Sequence, residues 1–176
     1  MIKEPWQFAV ISNPRINRQT LIFVSLIYFP TLKLQLKYKM TFHSRSEKET
    51  YDIAFGLAKK INKGDILLLE GELGAGKSVF ARGLAKGLGV DEAMPSPTFT
   101  IVNEYQGNLT VYHFDFYRIN DPFELYEIGF EEYLYSGGVS IIEWPSKAGN
   151  MLPGRAVKVE IKIKNSEREI TIQWKQ

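Results

Sequence analysis

The sequence predicts an α/β fold in which a mixed β-sheet is flanked by helices and ends in an antiparallel hairpin. First, an apolar run at 66–69 leads through a glycine-rich loop into a segment of helical periodicity at 79–86. Second, further apolar runs of strand length occur at 109–114 and 138–142. Third, residues 157–174 hold two alternating apolar runs separated by a polar turn, a pattern typical of a hairpin.

The composition restricts the classes of protein to which the chain can belong. Its 176 residues suit one domain, and an apolar content of 44% is sufficient for a packed core. Because the sequence has no cysteine, disulfides, thiolate zinc sites and cysteine nucleophiles are excluded. Residues 40–176 contain 16 basic and 19 acidic residues. This part therefore lacks the strong positive charge of a protein that binds nucleic acid by itself.

Residues 1–39 differ from the rest of the chain. They show no helical or alternating period, and six of them are basic while one is acidic. Their apolar run at 21–29 is well short of the ~20 residues that a membrane-spanning helix needs. Since Met40 offers a start just before the patterned sequence, we expect 1–39 to be a disordered extension or sequence upstream of a misassigned start, with a basic peripheral anchor as the alternative. The predicted domain is 40–176, in a cytoplasmic protein that does not enter a membrane.

The glycine-rich loop has the spacing G-x-x-x-x-G-K-S and lies between a predicted strand and a predicted helix. This context indicates a phosphate-binding loop, so the predicted fold is that of a P-loop NTPase. The glycines allow backbone N–H groups to approach phosphate oxygens, Lys77 supplies a positive charge, and Ser78 supplies a hydroxyl to Mg²⁺. The predicted nucleotide contacts in and beside the loop are Gly71, Leu73, Gly74, Ala75, Gly76, Lys77, Ser78 and Val79.

Local patterns predict the elements around the loop. Residues 46–49 form a capping box at the start of a helix. Residues 94–98 are expected to be a stiff, exposed segment, followed by a strand at 99–105. Asp121 is expected to cap a further helix, with Pro122 at its first position. The residues expected to form the buried stripe of that helix are Phe123, Tyr126, Phe130 and Tyr133.

Two acidic residues, Asp115 and Glu143, directly follow apolar strands. Ligands of open α/β sheets bind beyond the carboxyl ends of strands, and a phosphate loop needs an acid near its Mg²⁺. Both residues are therefore predicted to lie at the site, with ordinary solvated strand ends as the alternative. Thr98 is placed to reach the γ-phosphate or its metal from a mobile segment, although a threonine at a strand start is equally compatible. His113 is expected to be a packed residue of its strand and not a catalytic one.

The motifs together resemble those of one family. The loop at 71–78 and the segments 96–100, 113–118 and 143–145 follow the order found in the TsaE (YjeE) family, which the chain resembles from residue 40 to about 171. Members of this family are bacterial ATPases required to make threonylcarbamoyladenosine in tRNA. The resemblance implies weak hydrolysis of ATP with Mg²⁺, in cooperation with TsaD and TsaB. These two proteins form the complex that transfers threonylcarbamoyl to adenosine. The resemblance therefore implies that the chain contacts tRNA indirectly, through this complex.

The resemblance also implies roles for individual residues. Lys77 and Ser78 match the positions that hold phosphate and Mg²⁺, Glu143 matches a metal ligand or water-positioning residue, and Asp115 matches a second acid that is essential for turnover. The implied catalytic residues are thus Lys77, Asp115 and Glu143, and the implied metal ligands are Ser78, Asp115 and Glu143. The residues that match positions beside the adenine are Ser46, Glu47, Thr50 and Arg168.

Two other functions are compatible with a phosphate-binding loop. A small-molecule P-loop kinase would need an acceptor pocket and an arginine-bearing lid after the loop, and no arginine pair downstream suggests such a lid. An ATP-dependent assembly module would bind nucleotide to control docking without productive hydrolysis. Phosphate release measured with candidate acceptors, and again with TsaB and TsaD, separates these functions from a working ATPase.

Overall fold

The computed structural model describes residues 39–175, and the expectations for residues 1–38 lie outside this part. The described chain begins with β1 (Lys39–Ser44), α1 (Glu47–Leu57), a 3-10 turn (Ala58–Lys60), β2 (Ile66–Glu70) and α2 (Lys77–Gly87). It continues with β3 (Val102–Tyr105), β4 (Val111–Asp115), α3 (Glu124–Glu127), α4 (Phe130–Tyr135) and β5 (Val139–Glu143). A 3-10 segment (Pro145–Met151) then leads to β6 (Ala156–Lys164) and β7 (Glu167–Lys175).

The seven strands form one mixed sheet in the order β1-β7-β6-β2-β5-β4-β3. The central pairs β6–β2, β2–β5 and β5–β4 are parallel. Antiparallel pairs lie at both edges, and β6 and β7 form the predicted hairpin around Asn165 and Ser166, both of which have positive φ. The predicted fold class is confirmed, because a mixed sheet with flanking helices ends in an antiparallel hairpin.

Side chains on the two faces of the sheet enter two separate cores. In β2, Leu67 and Leu69 pack with α1 and α2, whereas Leu68 packs with α3 and α4. This division follows from the strand geometry, because successive side chains point to opposite faces. Buried on both faces, β2 ends at the centre of the sheet, where the loop to α2 begins.

Strand β1 was not predicted from the sequence. It runs antiparallel to β7 at one edge of the sheet, with Met40 opposite Ile172 and Phe42 opposite Ile170. Its two apolar residues, Met40 and Phe42, pack against the core, and both are partly buried. The strand begins at Lys39, one residue before the predicted domain boundary.

The prediction for 94–105 is partly wrong. Met94 and Pro97 are buried, so this segment is not exposed throughout. The strand predicted from residue 99 begins at Val102, because the N–H groups of Thr100 and Ile101 donate to the Pro97 carbonyl in a turn. Ile101 has a φ of 66°, which is unusual for a β-branched residue and ends the turn before the strand.

The predicted aromatic stripe after Asp121 is also partly wrong. Phe123 is 72% exposed and Tyr126 is 56% exposed, whereas Phe130 is fully buried and Tyr133 partly buried. The reason is a break at Gly129, whose φ of 67° separates two short helices and changes the face that each presents. The buried residues of these helices are Leu125, Phe130 and Leu134.

Among residues 39–175, none of the helices is long and apolar enough to cross a membrane.

Candidate functional site

The loop between β2 and α2 makes tight turns that only glycine tolerates well. Gly74 and Gly76 have φ values of 80° and 106°, and Gly76 is the N-cap of α2. The helix begins at Lys77, so the loop ends at the N-terminus of an 11-residue helix. The N–H groups of the first turn and the helix dipole favour an anion at this place.

The Lys77 side chain turns back over the loop. Its ammonium donates to the carbonyl oxygens of Gly71 at 2.8 Å and Glu72 at 2.9 Å, and it lies 3.6 Å from the centre of the Trp144 ring. Burial lowers the pKa of Lys77, and the nearby Glu143 carboxylate is the first of the charges that oppose this shift. The loop therefore holds a desolvated positive charge that an anion would stabilise.

Asp115 and Glu143 lie side by side at the carboxyl ends of the parallel strands β4 and β5, where they are register partners. Glu143 Oε2 accepts a hydrogen bond of 3.1 Å from the Ser78 hydroxyl of α2. Both carboxylates are buried, at 5% and 2% exposure, and they share one side of the sheet with Lys77. The sheet register thus places two acids beside the hydroxyl and the ammonium of the loop helix.

The Asp115 carboxylate is held by the segment that precedes β3. Its Oδ2 accepts from the hydroxyls of Ser96 at 2.9 Å and Thr98 at 2.6 Å, and its Oδ1 accepts from the N–H of Tyr117 at 3.0 Å. Thr98 thus lies at the site with its hydroxyl on Asp115, and its contact with a γ-phosphate or metal stays a prediction.

The same register explains a contact that sequence reasoning missed. His113 and Asp115 are two residues apart in β4 and so face the same side of the sheet. His113 pairs with Ile141 in the ladder, which leaves its side chain diagonal to Glu143. The His113 Nε2 lies 2.9 Å from Glu143 Oε1, and both side chains are almost fully buried. His113 is packed, as predicted, but it also contacts an acid of the site.

Lys77, Ser78, Thr98, Asp115 and Glu143 line one open cleft of about 420 Å³. Ser96, Tyr117 and Trp144 also line it; they lie in the segments that carry the family resemblance but were not predicted as site residues. The predicted residues that line the cleft are Glu47, Leu73, Gly74, Gly76, Lys77, Ser78, Val79, Thr98, Asp115 and Glu143.

Known proteins are similar to the region of the chain that contains the cleft. Residues 44–170 match the model of the family described as threonylcarbamoyl adenosine biosynthesis protein TsaE. The chain belongs to the TsaE family. Its members in Bacillus subtilis (strain 168) and Treponema pallidum (strain Nichols) are both called tRNA threonylcarbamoyladenosine biosynthesis protein TsaE.

The similarity to these TsaE proteins extends over most of each chain. The Bacillus subtilis protein is 42% identical over 139 residues, which are 78% of this chain and 84% of the relative. The Treponema pallidum protein is 38% identical over 130 residues, which are 73% of this chain and 96% of the relative. The crystal structure of YdiB from Bacillus subtilis is 35% identical, with a TM-score of 0.69 over 80% of this chain and 88% of that one.

Several predicted contacts of this TsaE-family chain do not line the cleft. Thr50 is buried, and its hydroxyl is 2.7 Å from that of Ser44. Arg168 donates from Nε to the Ala75 carbonyl at 3.1 Å and lies beside Gly76. Arg168 therefore supports the loop from outside the cleft. The predicted residues outside it are Ser46, Thr50, Gly71, Ala75 and Arg168.

The oxygen atoms of the cleft suit a magnesium ion. Within residues 39–175 no group of three or more His, Asp or Glu side chains is placed to hold a metal alone. Mg²⁺ is usually bound in a different way, by one or two carboxylates together with phosphate oxygens and water. The Ser78 hydroxyl and the carboxylates of Glu143 and Asp115 are a donor set of that kind.

Proposed function

We propose that the protein is an Mg²⁺-dependent ATPase that supports threonylcarbamoyladenosine formation in tRNA together with TsaD and TsaB. The observation that carries this proposal is the position of Lys77 and Ser78, at the start of the loop helix, opposite Asp115 and Glu143 in one cleft. Membership of the TsaE family supports the tRNA-modification role.

The loop and Lys77 would bind the phosphates of ATP. The ammonium now donates to two carbonyl oxygens of its own loop, and the β- and γ-phosphate oxygens are stronger, charged acceptors for it. The first-turn N–H groups of α2 supply further donors without any rearrangement of the helix. Binding of ATP would also offset the desolvation that lowers the pKa of Lys77.

Ser78, Glu143 and Asp115 would hold Mg²⁺ at the end of the sheet. The ion would supply positive charge to the phosphate oxygens during transfer. If Glu143 faced the attacking water in place of the ion, its carboxylate would accept a hydrogen bond from that water and so align it for attack on the γ-phosphorus. Positioning and charge stabilisation together would account for phosphoryl transfer without a protein nucleophile.

The proposed partners explain how a slightly acidic domain takes part in tRNA modification. Residues 40–176 carry more acidic than basic residues, so affinity for tRNA would come from the TsaD and TsaB complex and not from this chain. Because ATP and tRNA would both be required, we propose a cytoplasmic location. We expect the chain alone to hydrolyse ATP slowly. Closing of the cleft by TsaD and TsaB would raise this rate.

The test is phosphate release from ATP by the full chain, alone and with purified TsaB and TsaD, in the presence and absence of Mg²⁺. We expect weak hydrolysis alone, a clear increase with both partners, and none with the Lys77→Ala variant. Phosphate transfer to an added small-molecule acceptor would identify a kinase instead. Tight ATP binding without hydrolysis, even with both partners, would identify an assembly module.

A further inference from the structure

We infer that His113 is a positioning residue that holds the Glu143 carboxylate by donating a hydrogen bond from a neutral imidazole. This inference rests on the proposed function of Glu143 in ATP hydrolysis. It concerns a residue that does not line the cleft, since His113 is fully buried behind Glu143. Its effect on the reaction would therefore be transmitted through Glu143 alone.

The Glu143 carboxylate has two different neighbours. Oε1 is 2.9 Å from His113 Nε2 on the core side, and Oε2 accepts from the Ser78 hydroxyl on the cleft side. A buried carboxylate needs hydrogen bonds to offset its lost hydration. The His113 contact satisfies Oε1 from inside the protein and leaves Oε2 directed toward Ser78 and the cleft.

The other nitrogen of the ring indicates which proton is present. Among the described residues, His113 Nδ1 is buried and has no hydrogen-bond partner. If the ring were an imidazolium, this atom would carry a charged N–H that is left unpaired, which is costly in the interior. If Nε2 accepted a proton from a neutral Glu143, Nδ1 would again carry an unpaired N–H. Only the neutral tautomer with hydrogen on Nε2 avoids an unpaired buried donor.

This tautomer has a consequence for the charge of the site. A neutral His113 donates to Glu143 without cancelling its negative charge. The carboxylate therefore remains available to Lys77 on the cleft side, where it would also be available to a cation bound beside Ser78. An imidazolium at the same place would compete with them for the charge.

The first experiment compares two substitutions at one position. His113→Leu removes the donor, whereas His113→Gln keeps an N–H donor on a side chain of similar reach. Ile141→Val is the matched packing control, because Ile141 is the register partner of His113 and is fully buried. For each variant, thermal unfolding, ATP affinity, and kcat and KM with TsaB and TsaD are measured.

We expect His113→Leu to lower kcat by roughly 10- to 100-fold, a range typical of groups that orient a ligand from behind. KM and ATP affinity should change by less than about threefold, because the phosphate contacts of the loop are untouched. His113→Gln should recover most of kcat, and Ile141→Val should keep it near wild type. Equal losses in the Leu and Gln variants, or a wild-type kcat in His113→Leu, would overturn the inference.

A second measurement does not depend on hydrolysis. The sequence has two histidines, and the other, His43, is exposed on β1. Long-range ¹H–¹⁵N NMR spectra of the full chain at neutral pH should show His113 as the neutral tautomer protonated on Nε2, with His43→Asn used for assignment. Protonation of His113 on Nδ1, or on both nitrogens, would overturn the inference. Absence of ATPase activity in wild type would instead contradict the proposed function. The NMR spectra would still show which ring nitrogen of His113 carries the proton.

Discussion

Asp115 and Glu143 are register partners at the ends of two neighbouring parallel strands, and each is held by hydroxyl groups from a different segment. Glu143 contacts Ser78 of the loop helix, whereas Asp115 contacts Ser96 and Thr98 before β3. The two acids thus connect the loop helix to the segment 94–101. A ligand bound between them would lie next to both carboxylates.

The Lys77→Ala variant should lose ATP affinity while keeping its fold. The ammonium lies over the loop and donates to two of its carbonyl oxygens, so its loss would remove the charge-assisted contact with the proposed phosphates. We expect an affinity loss of at least about tenfold, or 1.4 kcal/mol, in titrations with a fluorescent ATP analogue. Lys48→Ala, which removes an exposed ion pair with Asp52, is the control, and equal affinities of the two variants would contradict the phosphate-binding role.

The stability of the protein should depend on the charge of Lys77. Burial lowers the pKa of Lys77 in the folded state, so the folded protein binds fewer protons than the unfolded chain between that pKa and about 10.4. Stability then rises with pH in this window. In urea unfolding, wild type should gain stability relative to Lys77→Met as the pH rises toward about 10.4. A stability difference that is independent of pH would show that Lys77 is not desolvated.

The hydroxyl of Ser78 should be required for the response to Mg²⁺. Ser78→Ala removes the oxygen beside Glu143, and we expect turnover to fall by roughly tenfold or more and the Mg²⁺ requirement to rise. Ser78→Thr keeps the oxygen and should retain most of the activity. A Mg²⁺ titration of ATP hydrolysis measures both effects. Similar titration curves for the Ala variant and wild type would remove Ser78 from the set of metal ligands.

The position of the loop helix should depend on close packing at Gly83. A Cβ at Gly83 would clash with the Tyr51 carbonyl oxygen of α1, whereas a Cβ at Gly56 in α1 would meet nothing within 4 Å. Gly83→Ala should therefore destabilise the protein by more than about 1 kcal/mol. Gly56→Ala should stabilise it by about 0.4–1 kcal/mol, because alanine favours the helix. Chemical unfolding measures both, and equal effects would contradict the packing of α1 on α2.

The features that could be predicted from the sequence depend on local order. The β2 strand, the glycine loop and α2 follow one another directly, so their spacing in the sequence fixes their spacing in the structure. Asp115 and Glu143 were predicted for a related reason, since both end parallel strands and such ends meet at one edge of the sheet.

The features that could not be predicted depend on distant pairing. Strand β1 forms because β7 offers it an edge, and its own alternation covers only Met40 and Phe42. The contact of His113 with Glu143 requires the register of β4 and β5, which no local pattern specifies. Because the helix breaks at Gly129, Phe123 and Tyr126 lie at the surface, although their spacing alone suits a buried stripe.

The most direct test of the account is to separate ATP binding from ATP hydrolysis at the two acids. Asp115→Asn and Glu143→Gln keep the shape of each side chain and remove its charge. Glu104→Gln, in the exposed part of β3, is the matched control. ATP affinity and phosphate release in the presence of TsaB and TsaD are measured for all three.

The account predicts that both site variants bind ATP within about tenfold of wild type, or 1.4 kcal/mol. The loop and Lys77 would supply most of the proposed binding contacts, whereas alignment of water and balance of charge would matter chiefly in the transition state. Turnover should therefore fall by roughly a hundredfold or more in each variant and stay unchanged in Glu104→Gln. Wild-type turnover in both Asp115→Asn and Glu143→Gln would contradict the account and leave only a nucleotide-binding module.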